Sequence, residues 1–439
     1  MDYSTAALMF PALFVLVFLG IPVSVSLMCT AFVFGVAEFG TSLPTQFHSR
    51  LVDVSSNFIL SAVPLFVFMG AMLERSGIAA RLFYAVRLWL GGVRGGLALT
   101  TVLMCAIFAA TSGIVGAVEI VVGLMAIPAM LAAGYRKDLA AGTVCAGGSL
   151  GTTIPPSIVI IVYASITEMS VGDLFAGIII PALLMVGLFV AYILGRCALD
   201  PAAGPGIKVE GDEARLGHKL WVALTALLPA SALVFAVLGS IFAGVASPSE
   251  AAAVGAGGSI ILTICYGSFS IPVLIDALRR TVKITSMVML IVVGGIMFSS
   301  IFIVNGGDTM VSDVVKHLNL SPAGIILMFL GIVFLLGFVL DWISVVLIVM
   351  PIFDPVIRAA EIDPVWFGVM VCIALQTSYL TPPMAPSIFY LRAIAPQEMT
   401  YGDMYKGVTP FVGAQLLTLA VVAFFPSLAT WLPSVLFGF

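Results

Sequence analysis

The chain has 439 residues, 61% hydrophobic and only 9% charged, with a formal net charge of −4 and a mean hydropathy of +1.21. Soluble domains carry about 25% charged residues, and a surface this apolar could not stay wet, so the chain reads as an integral, multi-pass membrane protein. The six cysteines lie singly with no CxxC spacing, the three histidines are far apart, and no HExxH or GxGD motif occurs. Disulfide, metal and intramembrane-protease chemistry therefore have no sequence support.

The first residues, Met1-Asp2-Tyr3-Ser4, hold no basic segment, so no cleaved signal peptide is expected. Residues 5–39 form an apolar run longer, at about 1.5 Å per residue, than the hydrocarbon layer. Pro22 either kinks one span there or divides two. Basic residues mark cytoplasmic loops. Arg75, Arg81, Arg87 and Arg94, then Arg136 and Lys137, then Arg196, Lys208, Arg215 and Lys219, then Arg279, Arg280 and Lys283, with Lys406, are placed on that side.

With those loops fixed, residues 54–73 run inward. Residues 95–135 must leave the cytoplasm and return, because Arg94 and Arg136 share a side. That makes a re-entrant hairpin with its tip near "ATSGIVG", 110–116. Residues 138–166 cross outward through Pro155-Pro156, and 173–195 come back. Residues 284–304 run outward, 322–357 form a second hairpin with its tip near "LGFVLDW", 336–342, and 364–395 cross inward through Pro382-Pro383.

The two halves repeat. Pro156-Ser157 matches Pro386-Ser387, and "EMSVGDLFAG" from 168 matches "EMTYGDMYKG" from 398, both at a spacing of 230 residues. Upstream, "VVGLMAIPAM" resembles "SVVLIVMPIF". The expected fold is an all-α polytopic protein of inverted-topology repeats, each with a re-entrant hairpin and a proline-broken transmembrane helix. Secondary transporters are built this way, with the site near the midplane where helices break.

The breaks have a chemical reading. Proline removes a backbone donor and clashes with the preceding turn, so two in a row end a helix. The carbonyls left without partners are tolerated in a membrane only where protein or a cavity satisfies them. Free carbonyls suit a hard cation such as Na⁺. The half-helix that follows aims amide N–H groups and its positive dipole end at the same point, which suits a carboxylate. Small residues at the hairpin tips, Thr111-Ser112-Gly113 and Gly337, allow close backbone approach.

The stretch "TSGIVGAVEIVVGLMAIPAMLAAGYRKDLAAGTVCAGGSLGTTIPPSIVIIVYA", with "TPPMAPSIFYLRAIAP", resembles the large membrane subunit of the tripartite ATP-independent periplasmic (TRAP) transporters, the DctM-like family. The resemblance covers essentially the whole chain. It implies a sodium-driven elevator-type importer of an organic acid in the bacterial or archaeal cytoplasmic membrane, with two or more Na⁺ ions co-transported. It also implies two partner chains, a small four-helix membrane subunit (Q-type) and a periplasmic substrate-binding protein (P-type). The chain has no room for the extra helices of the fused relatives, which implies that the small subunit is separate.

On this resemblance the chain divides into scaffold helices and a first arm (1–94), a first transport half (95–200), a loop, scaffold helices and second arm (201–321), and a second transport half with a C-terminal helix (322–439). The basic amphipathic segments 80–92 and 272–283 would be the arms. One Na⁺ site is carried over onto Ser112, Gly151, Ile154 and Pro156, the other onto Gly337, Ser378, Thr381 and Met384. Many relatives have glycine where Ser378 stands.

Candidates for substrate binding or coupling are Thr111, Thr153, Ser157 and Ser387 at the tips and breaks. Asp341, Glu119 and Arg392 join them, because intramembrane ionisable residues are expensive and usually functional. The carboxyls could neutralise a cation, carry a proton, or serve structural hydrogen bonds. Arg392 could pair a substrate carboxylate or snorkel to the cytoplasm. Two other functions fit the residues: a stand-alone Na⁺- or H⁺-coupled dicarboxylate or anion carrier of the same architecture, and a non-transport membrane enzyme or scaffold. The latter leaves the paired breaks unexplained.

Overall fold

The computed structural model describes residues 3–113, 115–207, 215–382 and 385–438. Lys208 and Met384 lie outside the described residues. What is described is all α-helix with two short 3-10 turns, and no strand occurs among the described residues. Among the described residues, counting Val23–Ser56 as one, seven helices are long and apolar enough to cross a membrane, or eight if one bent pair counts as a single span. The all-helical, multi-pass expectation is met.

Helices α1 (Ser4–Phe18) and α2 (Val23–Phe39) answer the question left by the first apolar run: they are two, separated at Gly20, which has φ 85°, and Pro22. They run antiparallel to each other along α13 (Ile271–Val304), α1 against its direction and α2 with it. Phe10 of α1 meets Phe298 and Phe302 edge-on, while a methyl group on Gly294 would stand 2.8 Å from the Ser24 carbonyl and one on Gly35 would stand 3.0 Å from Ile301. The turn between them points toward the middle of α13.

Helices α3 (Leu43–Ser56) and α4 (Ala62–Arg75) follow, then α5 (Ile78–Leu90), which leaves α4 at 66° across Gly77. Gly77 has φ 72°, a conformation that favours glycine. α5 is the first expected arm. The second is not a separate helix, since 272–283 continues without interruption into α13, and no proline or glycine stands between them to end it. Arg75 pairs with Asp276 at 2.7 Å and Arg280 with Glu74 at 2.6 Å, pinning this part of α13 to the end of α4.

The first hairpin is α6 (Gly96–Ser112) and α7 (Val115–Ala132). Its two ends lie together, as the charge pattern required. Gly95 N–H donates to Gly204 C=O at 2.8 Å, Arg136 N–H to Ala203 C=O at 3.1 Å, and Ile207 N–H to Gly91 C=O at 2.7 Å. Then come the broken pair α8 (Lys137–Ser149) and α9 (Ile158–Thr167), followed by α10 (Val171–Leu199), α11 (Leu216–Phe242), α12 (Pro248–Cys265) and, after α13, α14 (Gly307–His317). The second hairpin is α15 (Pro322–Leu336) and α16 (Trp342–Ala359). The second broken pair is α17 (Pro364–Leu380) and α18 (Pro386–Ile394), and α19 (Tyr401–Phe424) and α20 (Ser427–Phe437) close the chain.

Helix starts are signalled locally. Ser247 with Glu250 and Thr400 with Asp403 form capping boxes on α12 and α19. α8 and α19 cross backbone to backbone: a methyl group on Gly142 would stand 2.1 Å from the Gly407 carbonyl oxygen. Close approach through glycine is how helices pack where lipid supplies no hydrophobic drive.

The two broken pairs run in opposite directions. α8 starts where Lys137 Nζ donates to the Glu398 carbonyl, beyond the end of α18. α9 ends where the Arg358 guanidinium donates to the Thr167 carbonyl, at the end of α16. α17 starts at that second end, with Asp363 and Glu168 lining one cleft.

Candidate functional site

At the first break, α8 gives way to a 3-10 turn, Leu150–Thr152, and the chain stays irregular until α9 starts after Ser157. Side chains stitch this break. Ser157 Oγ donates to the Thr152 carbonyl at 2.7 Å, Thr152 Oγ1 to the Ser149 carbonyl at 2.9 Å, and Thr153 Oγ1 to the Leu150 carbonyl at 3.3 Å. The tip of the first hairpin reaches this point. Ser112 is the last residue of α6, and Gly113, with φ 61°, follows it. A methyl group on Gly113 would stand 2.9 Å from the Pro156 carbonyl oxygen.

The second half repeats this closeness. A methyl group on Gly337 would stand 2.2 Å from Ser378 Oγ and 2.7 Å from its Cβ. Ser378 Oγ donates back to the Leu375 carbonyl at 2.8 Å, Thr381 Oγ1 to the Thr377 carbonyl at 2.7 Å, and Thr381 N–H to the Ser378 carbonyl at 3.1 Å. Asp341 is the cap of α16: one carboxylate oxygen accepts from the Ile343 and Ser344 N–H groups, the other from the Ser344 hydroxyl. A carboxylate at a helix N-terminus is stabilised by the unpaired amides and the dipole.

Between these parts lies a cavity of about 390 Å³. The first tip contributes Gly113 and Gly116, and the start of α9 contributes Ile158 and Val159. The second tip contributes Gly337 and the run Leu340–Ile343. The second break contributes Leu375, Ser378, Tyr379, Pro386 and Tyr390. The remaining wall is Pro22–Ser24 at the α1–α2 turn and Ile284, Met287, Val288 and Ile291 of α13. Among the described residues Asp341 is the one charged side chain lining it.

Of the sequence-derived candidates, Gly337, Ser378 and Asp341 line the cavity. Gly151, Ile154 and Pro156 lie at the first break and do not line it, and Thr381 follows the end of α17. The hydroxyls of Thr111, Thr153 and Ser157 donate to backbone carbonyls, a common outcome for Ser and Thr in membrane helices. Ser387 bonds Glu119, away from the cavity wall. Arg392 is turned away from the cavity, donating to the Met399 carbonyl at 2.9 Å and lying over the Tyr401 ring. Sequence reasoning missed Tyr379, Tyr390 and Trp342, and the Pro22–Ser24 turn. Tyr379 precedes Pro382 and Tyr390 follows Pro386 on α18, but nothing in one sequence says which aromatic rings face a cavity.

Residues 10–428 match the family described as tripartite ATP-independent periplasmic transporter, DctM component. The chain belongs to this family. The resemblance read from the two break segments is thereby borne out, and the family's members named below are transporter permeases rather than enzymes. The chain is 32% identical over 388 residues to the C4-dicarboxylate TRAP transporter large permease protein DctM of Pseudomonas aeruginosa, covering 88% of each. It is 30% identical over 437 residues to the ectoine/5-hydroxyectoine TRAP transporter large permease protein UehC of Ruegeria pomeroyi, covering 99% of this chain and 100% of that one. Among solved structures, the YdaH transporter of Alcanivorax borkumensis superposes with a TM-score of 0.67 at 16% identity, covering 95% of this chain and 98% of that one. That likeness concerns the fold.

Proposed function

We propose that this chain is the large membrane subunit of a sodium-driven importer of an organic acid in a bacterial or archaeal cytoplasmic membrane. It works by an elevator mechanism with a small four-helix membrane subunit and a periplasmic substrate-binding protein. The observation that carries this reading is the cavity lined by both hairpin tips, the second proline break and the start of α9 that follows the first break, walled on its other side by α2 and α13. The hairpins and broken helices are the moving block, and α2 and α13 belong to the static scaffold. The opposite directions of α8–α9 and α17–α18 support an inverted repeat.

Electrostatics supports cation coupling. An organic anion entering this cavity meets the Asp341 carboxylate and no basic side chain among the described lining residues. Two like charges in a weakly polar cavity repel. Na⁺ ions held by carbonyls of Gly151, Ile154 and Pro156 on one side, and of Gly337, Ser378 and Thr381 on the other, would reverse the sign of the field the substrate feels. Ser112 completes the first set in this reading, and Met384 the second. Relatives named for C4-dicarboxylate, sialic acid and ectoine favour a carboxylate-bearing substrate. The chain spans 64% of a relative named as the isethionate permease DctMQ of Oleidesulfovibrio alaskensis, and the proposal assigns the balance of that relative to a separate small subunit.

The test is uptake of a labelled C4-dicarboxylate into liposomes holding this chain and the small subunit, with the binding protein outside. The proposal expects uptake that needs both the binding protein and an inward Na⁺ gradient. Uptake by this chain alone would favour a stand-alone carrier, and uptake unchanged in K⁺ or choline would contradict sodium coupling.

A further inference from the structure

Glu119, on α7, is fully buried. Among the described residues no basic side chain pairs with it, and the titratable groups that face it are Cys105 of α6, Cys145 of α8, Tyr379 of α17 and Tyr390 of α18. None of these brings a positive charge. An ionised carboxylate buried without a positive partner is costly.

The pocket around it is shaped to its side chain. A methyl group on Gly148 would stand 1.9 Å from Glu119 Cγ, so only glycine leaves room there. One carboxyl oxygen, Oε1, is bonded to the Ser387 hydroxyl, while Oε2 has no partner. Ser387 Oγ also reaches the Cys145 carbonyl at 3.4 Å. A hydroxyl carries one proton. Ser387 cannot donate both to the carboxyl and to the carbonyl. Both contacts of Ser387 can form at once if the carboxyl brings its own proton: Glu119 O–H donates to Ser387 Oγ, and Ser387 O–H donates to the Cys145 carbonyl.

We infer that Glu119 is a proton-binding site, held as a neutral carboxylic acid, and that its relay through Ser387 to Cys145 fixes α18 against α7 and α8. Ser387 is the second residue of α18, and its neighbours Pro386 and Tyr390 line the cavity. The Tyr390 ring lies over Gly116, where a methyl group would meet it at 2.9 Å. Glu119 is thus a positioning residue, joining the first hairpin to the second half-helix by an uncharged hydrogen bond inside the proposed moving block. The inference rests on the contacts of Glu119 and needs no sodium coupling.

Infrared difference spectroscopy on the purified full chain in nanodiscs, in H₂O and D₂O, tests it. The spectrum of wild type minus Glu119→Gln should contain a protonated-carboxyl C=O band that shifts in D₂O. Ser387→Ala should keep that band but move it to higher frequency, as a hydrogen bond is lost. A difference spectrum holding the paired carboxylate bands instead would overturn the inference. If Glu119→Gln does not fold, wild type minus Ser387→Ala decides in its place: a shifted C=O band supports the inference, and a shifted carboxylate band overturns it.

Discussion

Gly337 and Ser378 touch so closely that a methyl group on the glycine would stand 2.2 Å from the serine hydroxyl oxygen and 2.7 Å from its Cβ. The tip of one hairpin therefore rests on the last turn of α17, which ends at Leu380. Gly337→Ala overfills this contact, and overpacking costs about 1–3 kcal/mol. Removing the opposing side chain should relieve it. The double variant Gly337→Ala, Ser378→Gly is expected to melt closer to wild type than Gly337→Ala alone, with a coupling energy within the roughly 0.5–3 kcal/mol range of contacting pairs. Thermal unfolding of the four proteins checks this.

At the first tip the constraint is harsher, because the opposing atom is backbone. Gly113→Ala places a side chain on a residue with φ 61° and 2.9 Å from the Pro156 carbonyl oxygen. The left-handed conformation alone costs about 1–2 kcal/mol for a non-glycine residue. Gly187→Ala in α10, where nothing lies within 4 Å, should instead be neutral or stabilising by up to about 1 kcal/mol. Paired melting curves should separate the two glycines; equal shifts would contradict the contact.

Asp341 has two roles that substitution separates. It caps α16 and it supplies the charge in the cavity wall. Asp341→Asn keeps a capping oxygen and removes the charge. It is expected to leave melting nearly unchanged while weakening the response to Na⁺. Asp341→Ala loses the cap as well and should cost about 1 kcal/mol more. Sodium titrations monitored by melting temperature distinguish the variants.

The cavity wall joins two sets of helices that move relative to one another in the elevator reading. Val23 of α2 and Ile343 of α16 both line the cavity, one from each set. In a background without the native cysteines, a bifunctional thiol reagent bridging Val23→Cys and Ile343→Cys should abolish uptake. Either single cysteine treated alike should not. Full uptake with the bridge in place would rule out movement along this wall.

The sequence carried the helical class, both breaks and both hairpin tips, for physical reasons. Pro155-Pro156 can only end a helix, and Arg94 and Arg136 can share a side only if the chain between them turns back. The direction of side chains was less legible. Thr111, Thr153 and Ser157 are the same residue types whether they face a ligand or close on a nearby backbone carbonyl, and here they do the latter. Arg392 is held by the Met399 carbonyl, a partner that exists only once the chain turns after α18. The α1–α2 turn was ambiguous because an unbroken apolar run carries no direction, and its packing along α13 resolves it. The second arm came from the resemblance, which carries no helix boundary, and 272–283 is the first part of α13.

The most direct test of the central claim is a thermal-shift titration of the purified chain, with its small partner where required, in NaCl, KCl and choline chloride at constant ionic strength. An ion that binds only the folded protein raises its stability by RT ln(1 + [L]/Kd). Sodium sites at the two breaks predict a saturable rise in Tm specific to Na⁺, weakened by Gly337→Leu and by Thr381→Pro, which removes the N–H that meets the Ser378 carbonyl. Equal melting in all three salts would contradict sodium binding at the breaks.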